Sequence, residues 1–506
     1  MNLRRRPPVA GAPAPEQLHL QFGADAARQM VASWATPVPV AHPRLRLGTP
    51  GGGLGTTVDA VERTYTEALT GQAVWSYHAM VEQLQPDTEH IYEVVHDGSP
   101  PETGRFRTAP SGRAPFRFTS FGDLSLPQAV GAGLGPASPN AGFTVAAVEA
   151  AEPLFHLING DLSYANASEA PVETWRAFFA NTSRSARHRP WMPCAGNHEN
   201  EVGNGPQGYL GYQTRFFVPD NGAQPDFIGN WYAFTVAGVR VVSLNADDVC
   251  LQDGGFSGHR CEHLPAARRS DTYIRGYSGG AQRAWLEATL ADARRRDDID
   301  WVVVCMHQVA MSSAAFNGAD LGIRQELLPL FDRYEVDLVV SGHEHHYERT
   351  HPVRGVVSGS SVLTPAVTGT GADGSVDTTT GTVHVTIGVG GNPVPAGAAA
   401  PDTPRGLVIC EVGAAGNGQR PARKVSETAE WLAARADDHP YGFTAFDVDP
   451  GSPGGWTRIE AVHYGARAGS VRYRPVDRFT LTRPRRDAVD PGAPAAEPSS
   501  LPAATC

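Results

Sequence analysis

Side chains of the kinds that bind metal ions follow five predicted strands, each at the point where the strand ends. In chain order these side chains are Asp123, Asp161, Asn197 with His198, His307, and His343 with His345. Sites in α/β sheets form where the carboxyl ends of strands converge, so we expect these side chains to lie close together. Any one of them could be an ordinary turn residue or helix cap, but five such strand ends indicate one shared site. Carboxylate, amide and imidazole ligands suit iron, zinc or manganese, and the set includes no thiolate.

The segment with the most imidazoles is Gly-His-Glu-His at 342–345. It follows the apolar run from Val336 to Val340, which predicts a buried strand. Because side chains alternate along a strand, His343 and His345 are expected at the strand tip, pointing in the same direction. Imidazole is the commonest side-chain metal ligand near neutral pH, so the pair adds to the case for a metal site.

The elements that position these residues alternate between strand and helix from Pro115 onward. Apolar runs predict strands at 116–121, 154–158, 191–195, 301–306, 336–340, 383–387 and 443–448. Helical periodicity predicts helices at 144–152, 173–186, 281–296 and 325–334. Segments 231–236 and 239–244 predict a hairpin around Ala237-Gly238. The pattern favours a layered α/β domain, with sheets covered by helices.

The N-terminal part shows only short strand patterns separated by turn residues. Strands are predicted at 30–34, 44–47, 61–66, 74–81 and 90–96. Trp34 is the expected core aromatic of a β-sandwich. The segment before residue 90 resembles the corner before a late strand of fibronectin type III domains, although His90 stands where those domains usually have tyrosine. We therefore predict an all-β, fibronectin type III-like sandwich.

Composition sets the predicted domain limits. Residues 1–15 and 484–506 are rich in Pro and Ala and are predicted to be disordered. A Pro/Ser/Gly-containing linker near residues 108–115 separates the sandwich, predicted at 16–112, from the α/β domain, predicted at 113–483.

Charge and hydropathy exclude several functions. The formal net charge of -11 argues against a nucleic-acid groove, which needs a basic surface. The sequence contains no run of about 18 apolar residues, so it predicts no transmembrane helix. The first residues contain arginines and prolines without an apolar segment, so they do not form a signal peptide as they stand.

Lys424 is the only lysine, and this bias towards arginine hints at a GC-rich bacterial source. The sequence does not indicate an oligomeric state.

Two of the six cysteines suit a disulfide. Cys250 and Cys261 bracket a polar, Gly-rich loop that a disulfide would close. Cys194 and Cys305 lie in apolar strands and are interpreted as buried free thiols.

The metal-binding segments resemble the five sequence blocks of purple acid phosphatases, a family of the metallophosphoesterase superfamily. The matching blocks are Gly122-Asp123, Gly160-Asp161-Leu162-Ser163-Tyr164, Gly196-Asn197-His198-Glu199, His307, and Gly342 to Arg349. The resemblance covers roughly residues 116 to 450, and the preceding sandwich fits the larger members of the family. It implies a four-layer α/β/β/α metallophosphoesterase domain behind the sandwich. Tyr164 is the most discriminating residue, because most metallophosphoesterases lack this tyrosine and the purple enzymes use it to bind iron(III).

The resemblance also implies a ligand set for two metal ions. Iron(III) would be held by Asp123, Asp161, Tyr164 and His345, with Asp161 bridging to the second ion. Asn197, His307 and His343 would complete the site of that second, divalent ion, which can be iron, zinc or manganese. Two cations held together by a carboxylate can clamp the attacking and leaving oxygens of a phosphate ester. Iron(III) bound to a phenolate would also give a visible colour.

The proton donor of the reaction is less well defined. The resemblance makes His198 a donor to a phosphoryl oxygen or an aid to the leaving group, outside the metal ligands. Plant-type members have a histidine pair in the loop after the residue that matches His307, whereas this chain has no histidine between Gln308 and Asn317. His346 is an alternative donor, and equally it could be an imidazole that only supports its neighbours.

The expected activity is that of an acid phosphatase, which hydrolyses small phosphate monoesters by attack of metal-bound hydroxide. Two alternatives stay open: a phosphodiesterase acting on nucleotide or lipid headgroup esters, and a non-catalytic metal-containing binding protein. The complete ligand set argues against the second alternative. A disulfide and a ferric centre both suit an oxidising compartment, so we expect a secreted or periplasmic protein, with the cytoplasm as the alternative.

Overall fold

The computed structural model describes residues 11–124, 140–201, 208–251, 275–314, 317–371, 374–392, 405–411 and 423–488. The N-terminal part consists of two four-stranded antiparallel sheets, ordered β1-β2-β6-β5 and β4-β3-β7-β8. Their strands are β1 Glu16–Phe22, β2 Met30–Thr36, β3 Arg44–Thr49, β4 Gly53–Asp59, β5 Val61–Thr66, β6 Ala73–Val81, β7 Glu89–Val95 and β8 Glu102–Arg107. Trp34 is buried between the sheets and stacks on Tyr77. The predicted all-β domain is confirmed.

The second domain is built on two seven-stranded sheets. The first has the order β11-β10-β9-β25-β26-β27-β20, with strands β9 Phe116–Phe121, β10 Phe155–Ile158, β11 Trp191–Pro193, β20 Ser375–Asp377, β25 Tyr441–Asp449, β26 Trp456–Ala466 and β27 Arg474–Pro484. The second has the order β12-β13-β14-β16-β21-β17-β24, with strands β12 Tyr232–Val236, β13 Val239–Ser243, β14 Trp301–Cys305, β16 Leu338–Ser341, β17 Tyr347–Thr350, β21 Val383–Ile387 and β24 Leu432–Ala436. Strands β9, β10 and β11 are parallel, as are β13, β14, β16 and β21. Two small sheets pair β18 Val353–Val356 with β19 Pro365–Val367, and β15 Ala319–Asp320 with β22 Arg405–Glu411 and β23 Arg423–Thr428.

The two large sheets face each other, and helices cover them. The helices are α1 Asn140–Ala150, α2 Pro171–Ala186, α3 Leu210–Arg215, α4 Ala281–Arg295, α5 Leu321–Glu326 and α6 Leu328–Arg333. Alternate residues of β14 show the layers: Val303 belongs to the core shared with Phe118 of the first sheet, whereas Val302 packs in a second core with Leu286 of α4. Burial on both faces explains why the central strands are continuous apolar runs. The predicted fold class is confirmed.

The differences between prediction and structure include one helix and two long strands. The helix predicted at 325–334 is two short helices that meet at Leu327, because Pro329 near the start of the second cannot donate the backbone hydrogen bond that a continuous helix needs. The long antiparallel strands β26 and β27 were not predicted. Strand β27 runs to Pro484, and beyond it the guanidinium of Arg485 donates to the carbonyl of Gly451 at 2.9 Å. The domain limits themselves stay predictions.

The sandwich packs directly on the α/β domain. The Tyr92 hydroxyl donates to the carbonyl of Arg187 at 2.8 Å, just beyond α2, and the amide of Ala26 donates to the carbonyl of Thr235 at 3.2 Å. In the part of the chain that the structure describes, no helix is long and apolar enough to cross a membrane.

Candidate metal centre

The predicted metal ligands converge where the two sheets meet. Asp123 follows β9, Asp161 follows β10 and Asn197 lies beyond β11, all in the first sheet, while His307 and His343 follow β14 and β16 of the second. These five side chains are buried. Tyr164 and His345 lie in the loops that begin at two of these strand ends. The structure therefore brings all seven predicted ligands into one region. The loop that carries His345 is short, since β17 starts two residues after it.

Asp123, Tyr164 and His345 form a compact triangle of donor atoms. The Tyr164 hydroxyl lies 3.1 Å from Asp123 Oδ1 and 3.2 Å from His345 Nε2, and that nitrogen lies 3.2 Å from Asp123 Oδ1. Donors about 3 Å apart are spaced as neighbouring ligands around one ion with metal–ligand bonds of about 2.0–2.2 Å. The triangle thus fits three ligands of a single ion.

Asp161, His307, His343 and Asn197 form a second, adjoining group. His307 Nε2 lies 3.0 Å from Asp161 Oδ2 and 3.3 Å from His343 Nδ1, and that nitrogen is 3.0 Å from Asn197 Oδ1. One ligand atom from each of Asp161, His307 and His343 lies within 4.8 Å of the others. His307 Nδ1 donates to the carbonyl of Asn159 at 2.7 Å, so in the neutral ring Nε2 is a lone pair that faces the group. Carboxylate, amide oxygen and two imidazoles suit a divalent ion such as zinc, iron or manganese.

The backbone at the centre is held in an unusual conformation. Four residues of the centre have φ angles in the left-handed region, which residues other than glycine rarely adopt. They are Asp123 (61°), Asp161 (51°), Tyr164 (58°) and His343 (70°). Such strain persists where surrounding contacts hold it, and it is typical of functional sites. Gly342 is required for space, because a Cβ atom there would lie 2.5 Å from Asp123 Oδ2.

The prediction that His343 and His345 point the same way was wrong. Strand β16 ends at Ser341, so the alternation of a strand does not reach the two histidines. The positive φ of His343 turns the chain at that point. His343 consequently faces Asn197 and His307, whereas His345 faces Asp123 and Tyr164.

Glu199 ties two loops of the centre together. Its Oε2 accepts hydrogen bonds from the amides of Asp161 and Gly196, and its Oε1 accepts one from Leu162, each at 2.8 Å. The side chain is fully buried. Because these amides belong to the segments that carry Asp161 and Asn197, Glu199 holds the two segments at a constant separation.

Buried charges shape the electrostatics of the centre. Burial lowers the pKa of His307, but the carboxylates of Asp161 and Asp123 raise it, to about 10. Burial raises the pKa of Asp161, and the imidazoles of His307 and His198 bring it below its usual range. Burial and the same two carboxylates raise the pKa of Tyr164 well above its ordinary value. The protein thus concentrates negative charge here, which cations would compensate.

His198 lies beside the metal ligands with a defined orientation. Its Nδ1 is 2.7 Å from Asn166 Oδ1, and its Nε2 is 3.9 Å from Asp161 Oδ2. Its ring contacts the Tyr164 ring at 4.1 Å between centroids, with the two planes tilted by 39°. Burial lowers the pKa of His198 to about 4, against the opposing effect of Asp161. The ring therefore presents Nε2 to the side of the centre where Asp161 lies.

His346 has a different environment. It is buried, and its Nε2 lies 3.2 Å from Glu348 Oε2. Glu348 also accepts hydrogen bonds from the amide and hydroxyl of Ser313, and Arg435 donates to that hydroxyl at 2.6 Å. Ser313, in the loop after His307, thus belongs to a polar network with Glu348 and Arg435, and His346 lies beside this network.

Three contributors to the centre were not predicted as such: Glu199, Asn166 and Asn392. The amide of Asn392 donates to the carbonyl of Asp123 at 3.0 Å, and its side chain hydrogen-bonds Tyr164. The run Gly388-Val389-Gly390-Gly391 before it was the available signal, because a Cβ at Gly390 would lie 2.6 Å from the carbonyl oxygen of Gly122. Clustered glycines after a strand indicate close approach of the backbone to another segment.

The cysteines give a mixed outcome. Cys194 and Cys305 are buried free thiols, as interpreted from the sequence. Cys250 is buried, but its predicted partner Cys261 lies outside the described residues, so the disulfide stays a prediction.

Comparison with protein families identifies both domains. The family described as calcineurin-like phosphoesterase matches residues 117–347, which contain every predicted metal ligand. The family described as purple acid phosphatase, N-terminal domain, matches residues 15–108, the β-sandwich.

Individual relatives support these matches. An uncharacterized protein of Mycobacterium tuberculosis (strain H37Rv) is 52% identical over 487 residues, which cover 94% of this chain and 88% of the relative. The Fe(3+)-Zn(2+) purple acid phosphatase 12 of Arabidopsis thaliana is 25% identical over 399 residues, covering 76% of this chain and 73% of the relative. The structure of purple acid phosphatase PPD1 from yellow lupin seeds superposes with a TM-score of 0.68 at 20% identity, covering 97% of this chain and 78% of the other. This structural likeness shows a shared fold over nearly the whole chain.

Proposed function

The chain belongs to the purple acid phosphatase family of calcineurin-like phosphoesterases, and on that premise we propose that it hydrolyses small phosphate monoesters at a centre of two metal ions. The observation that carries the proposal is the pair of adjoining donor groups, the Asp123–Tyr164–His345 triangle and the Asp161–His307–His343 group. Their donors are spaced for two neighbouring ions, the arrangement that suits displacement at a phosphate.

The donor types favour different ions at the two positions. We assign iron(III) to Asp123, Tyr164 and His345, because a phenol that is hard to ionise in this buried site would be deprotonated by a trivalent cation. Asn197, His307 and His343 would hold the second, divalent ion, and Asp161 would be shared. The iron and zinc in the name of the Arabidopsis relative support this assignment, with iron or manganese as alternatives to zinc. When bound, the two ions supply the positive charge that activates the attacking water and neutralises the phosphate.

His198 is the residue of this chain best placed to act on the phosphate itself. Its Nδ1 is engaged by Asn166, so Nε2 is the atom that faces the centre. There the imidazolium form, which carries a hydrogen on both ring nitrogens, would donate a hydrogen bond from Nε2 to a phosphoryl oxygen, whose negative charge an oriented donor stabilises. His346 Nε2 lies 3.2 Å from Glu348 Oε2, and this proximity to a carboxylate outside the ligand set favours His198 over His346 for that role.

A monoester and a diester differ in the charge and size that the centre must accept. The described part of the loop after His307 contains serines bonded to Glu344 and Glu348, and no histidine that could bind a second phosphoryl oxygen or protonate a leaving group. This observation keeps a phosphodiester substrate as the second candidate.

Parallel assays test the proposal. The purified protein, with its metal content measured, is assayed at acid pH on p-nitrophenyl phosphate and on bis(p-nitrophenyl) phosphate. We expect kcat/KM for the monoester to exceed that for the diester by about tenfold or more, a discrimination of at least about 1.4 kcal/mol. The reverse order would assign the diester, and inactivity on both with two bound ions would contradict the proposed substrate class. Asp161→Asn, which removes the shared carboxylate, is the inactive control.

We also propose that the protein works in an oxidising compartment outside the cytoplasm. A ferric ion and a Cys250–Cys261 disulfide would both be stable there. Mass analysis under non-reducing conditions should show the loop between these cysteines closed, and two free thiols at these positions would contradict the proposal.

A further inference from the structure

A buried polar bridge joins the β-sandwich to the catalytic domain. Tyr65 lies on β5 of the sandwich, and its hydroxyl donates to Glu201 Oε2 at 3.4 Å while accepting from Arg215 Nη1 at 3.0 Å. All three residues are buried. The phenol therefore links a buried acid to a buried base across the interface between the domains.

Glu201 and Arg215 are held on other sides as well. The indole nitrogen of Trp175 in α2 donates to Glu201 Oε1, and the guanidinium of Arg215 lies 4.9 Å from the Trp175 ring and 5.3 Å from the Tyr65 ring. Removal of one partner of a buried charge is destabilising, because the charge then stays buried without a compensating hydrogen bond. Removal of the Tyr65 hydroxyl should therefore let Glu201 shift.

A continuous set of hydrogen bonds leads from Glu201 to the imidazole of His198. The peptide group between Asn200 and Glu201 donates through the Glu201 amide to the carbonyl of Gly208 at 2.8 Å. Through the carbonyl of Asn200, the same peptide group accepts from Asn166 Nδ2 at 3.3 Å. Asn166 Oδ1 then lies 2.7 Å from His198 Nδ1.

The orientation of Asn166 decides the state of the imidazole. Because the amide nitrogen of Asn166 is used on the carbonyl of Asn200, its oxygen must face His198. An oxygen there accepts a hydrogen bond, so Nδ1 of His198 carries the hydrogen and Nε2 is presented to the centre. A displaced Asn200–Glu201 peptide would loosen this arrangement.

We propose that Tyr65 of the β-sandwich is a positioning residue for the phosphoesterase site, which acts through Glu201, the Asn200–Glu201 peptide and Asn166 on the imidazole of His198. The inference rests on the proposed function, since it assigns the catalytic role to His198. It makes the N-terminal domain part of the catalytic apparatus rather than an attached module.

Tyr92 provides a matched control. It is also a buried tyrosine of the sandwich, and its hydroxyl also crosses the interface, donating to the carbonyl of Arg187 at 2.8 Å. Arg187 follows α2, and this contact does not lead to the segment around His198. Tyr65→Phe and Tyr92→Phe therefore remove the same kind of interdomain hydrogen bond, and only the first is connected to the catalytic histidine.

The experiment measures kcat and KM on p-nitrophenyl phosphate for the full chain with its metals bound. We expect Tyr65→Phe to lower kcat about tenfold with KM within about twofold, since misplacement of a catalytic group by a fraction of an ångström affects turnover strongly. Tyr92→Phe should keep kcat within about twofold, even if its unfolding temperature falls as much as that of Tyr65→Phe. In a His198→Ala background, Tyr65→Phe should change kcat by less than about twofold, because residues that act through one another are not additive.

Each contrary result overturns the inference in a distinct way. Equal losses of kcat in Tyr65→Phe and Tyr92→Phe would mean that the interface is merely structural. A full tenfold loss in the His198→Ala background, about the same as in the wild type, would show that Tyr65 does not act through His198. Inactivity of the wild-type, metal-loaded protein would instead contradict the proposed function, and the inference that rests on it would fall with it.

Discussion

Glu199→Gln is a direct test of how the catalytic loops are held. The carboxylate accepts three amide hydrogen bonds at 2.8 Å, from Asp161, Leu162 and Gly196. Glutamine has the same shape but only one acceptor oxygen. If that oxygen replaces Oε2 and keeps the bonds from Asp161 and Gly196, the NH₂ group must face the buried amide of Leu162, where two donors meet.

The energetic cost follows from the bonds that change. A hydrogen bond to a charged group contributes about 1.5–3 kcal/mol and a neutral one about 0.5–1.5 kcal/mol, so the lost bond costs about 1.5–3 kcal/mol and each weakened bond about 1 kcal/mol. Burial raises the pKa of Glu199 well above its ordinary value, and the neutral amide avoids this desolvation cost. We therefore expect a net loss of about 2–4 kcal/mol in the free energy of unfolding.

Metal affinity should fall as well, by about 10- to 100-fold, because Glu199 holds the segments that carry Asp161 and Asn197. Urea unfolding at constant m value measures the loss in the free energy of unfolding, and competition with a chelator measures the loss of metal affinity. Glu427→Gln is the matched control, since Glu427 also accepts hydrogen bonds from a buried partner, Arg324, in a part of the domain outside the two donor groups. It should lose stability and retain both ions. If Glu199→Gln keeps its metal affinity, or loses less than about 1 kcal/mol, the role given to Glu199 is wrong.

Three further outcomes follow from the same account. His307→Ala should lose the second ion and essentially all activity, as measured by metal analysis, and retention of two ions would remove His307 from the ligands. His198→Ala should keep both ions and lose about 100- to 1,000-fold in kcat, whereas His346→Ala should lose much less; equal losses on alkyl and nitrophenyl phosphates would exclude either residue as the leaving-group acid. Burial lowers the pKa of His384 from 6.5 to about 3, so only the unfolded chain binds a proton there between these values, and the free energy of unfolding should fall by up to about 1.4 kcal/mol per pH unit as the pH decreases from about 6.5 to 3. His384→Gln should show a shallower dependence, and an unchanged slope would contradict this origin.

The sequence is most informative where apolar runs end in polar residues. The runs that form β10, β14 and β16 are buried on both faces, as is the second half of β9 from Phe118 to Phe121. This makes the ends of these strands sharp in the sequence. The amino-acid pattern alone therefore predicts Asp123, Asp161 and His307 at strand ends, and they lie there. Strand β26 instead alternates between buried and more exposed residues, and its buried residues include Thr457 and Ala461, which carry little apolar signal.

Tertiary contacts and backbone angles are not accessible in the same way. Asn166 and His198 are separated by 32 residues, and nothing in the spacing of the chain indicates that an amide oxygen meets an imidazole there. The left-handed φ of His343 redirects two histidines that a strand pattern would place on one face. Conformations of this kind are stabilised by surrounding contacts rather than by local propensity, so periodicity does not reveal them.

The measurement that tests the central claim most directly is the metal content and visible absorption of the purified protein and of Tyr164→Phe. The account predicts close to two ions per chain, one of them iron, and a visible band that disappears in Tyr164→Phe because the band requires a phenolate bound to iron(III). Tyr212→Phe is the control, since this buried tyrosine donates to the carbonyl of Pro193 at 3.1 Å and should leave the band intact. Retention of the same band in Tyr164→Phe would contradict the assignment of Tyr164 to iron, and a purified protein without iron would contradict the proposed centre itself.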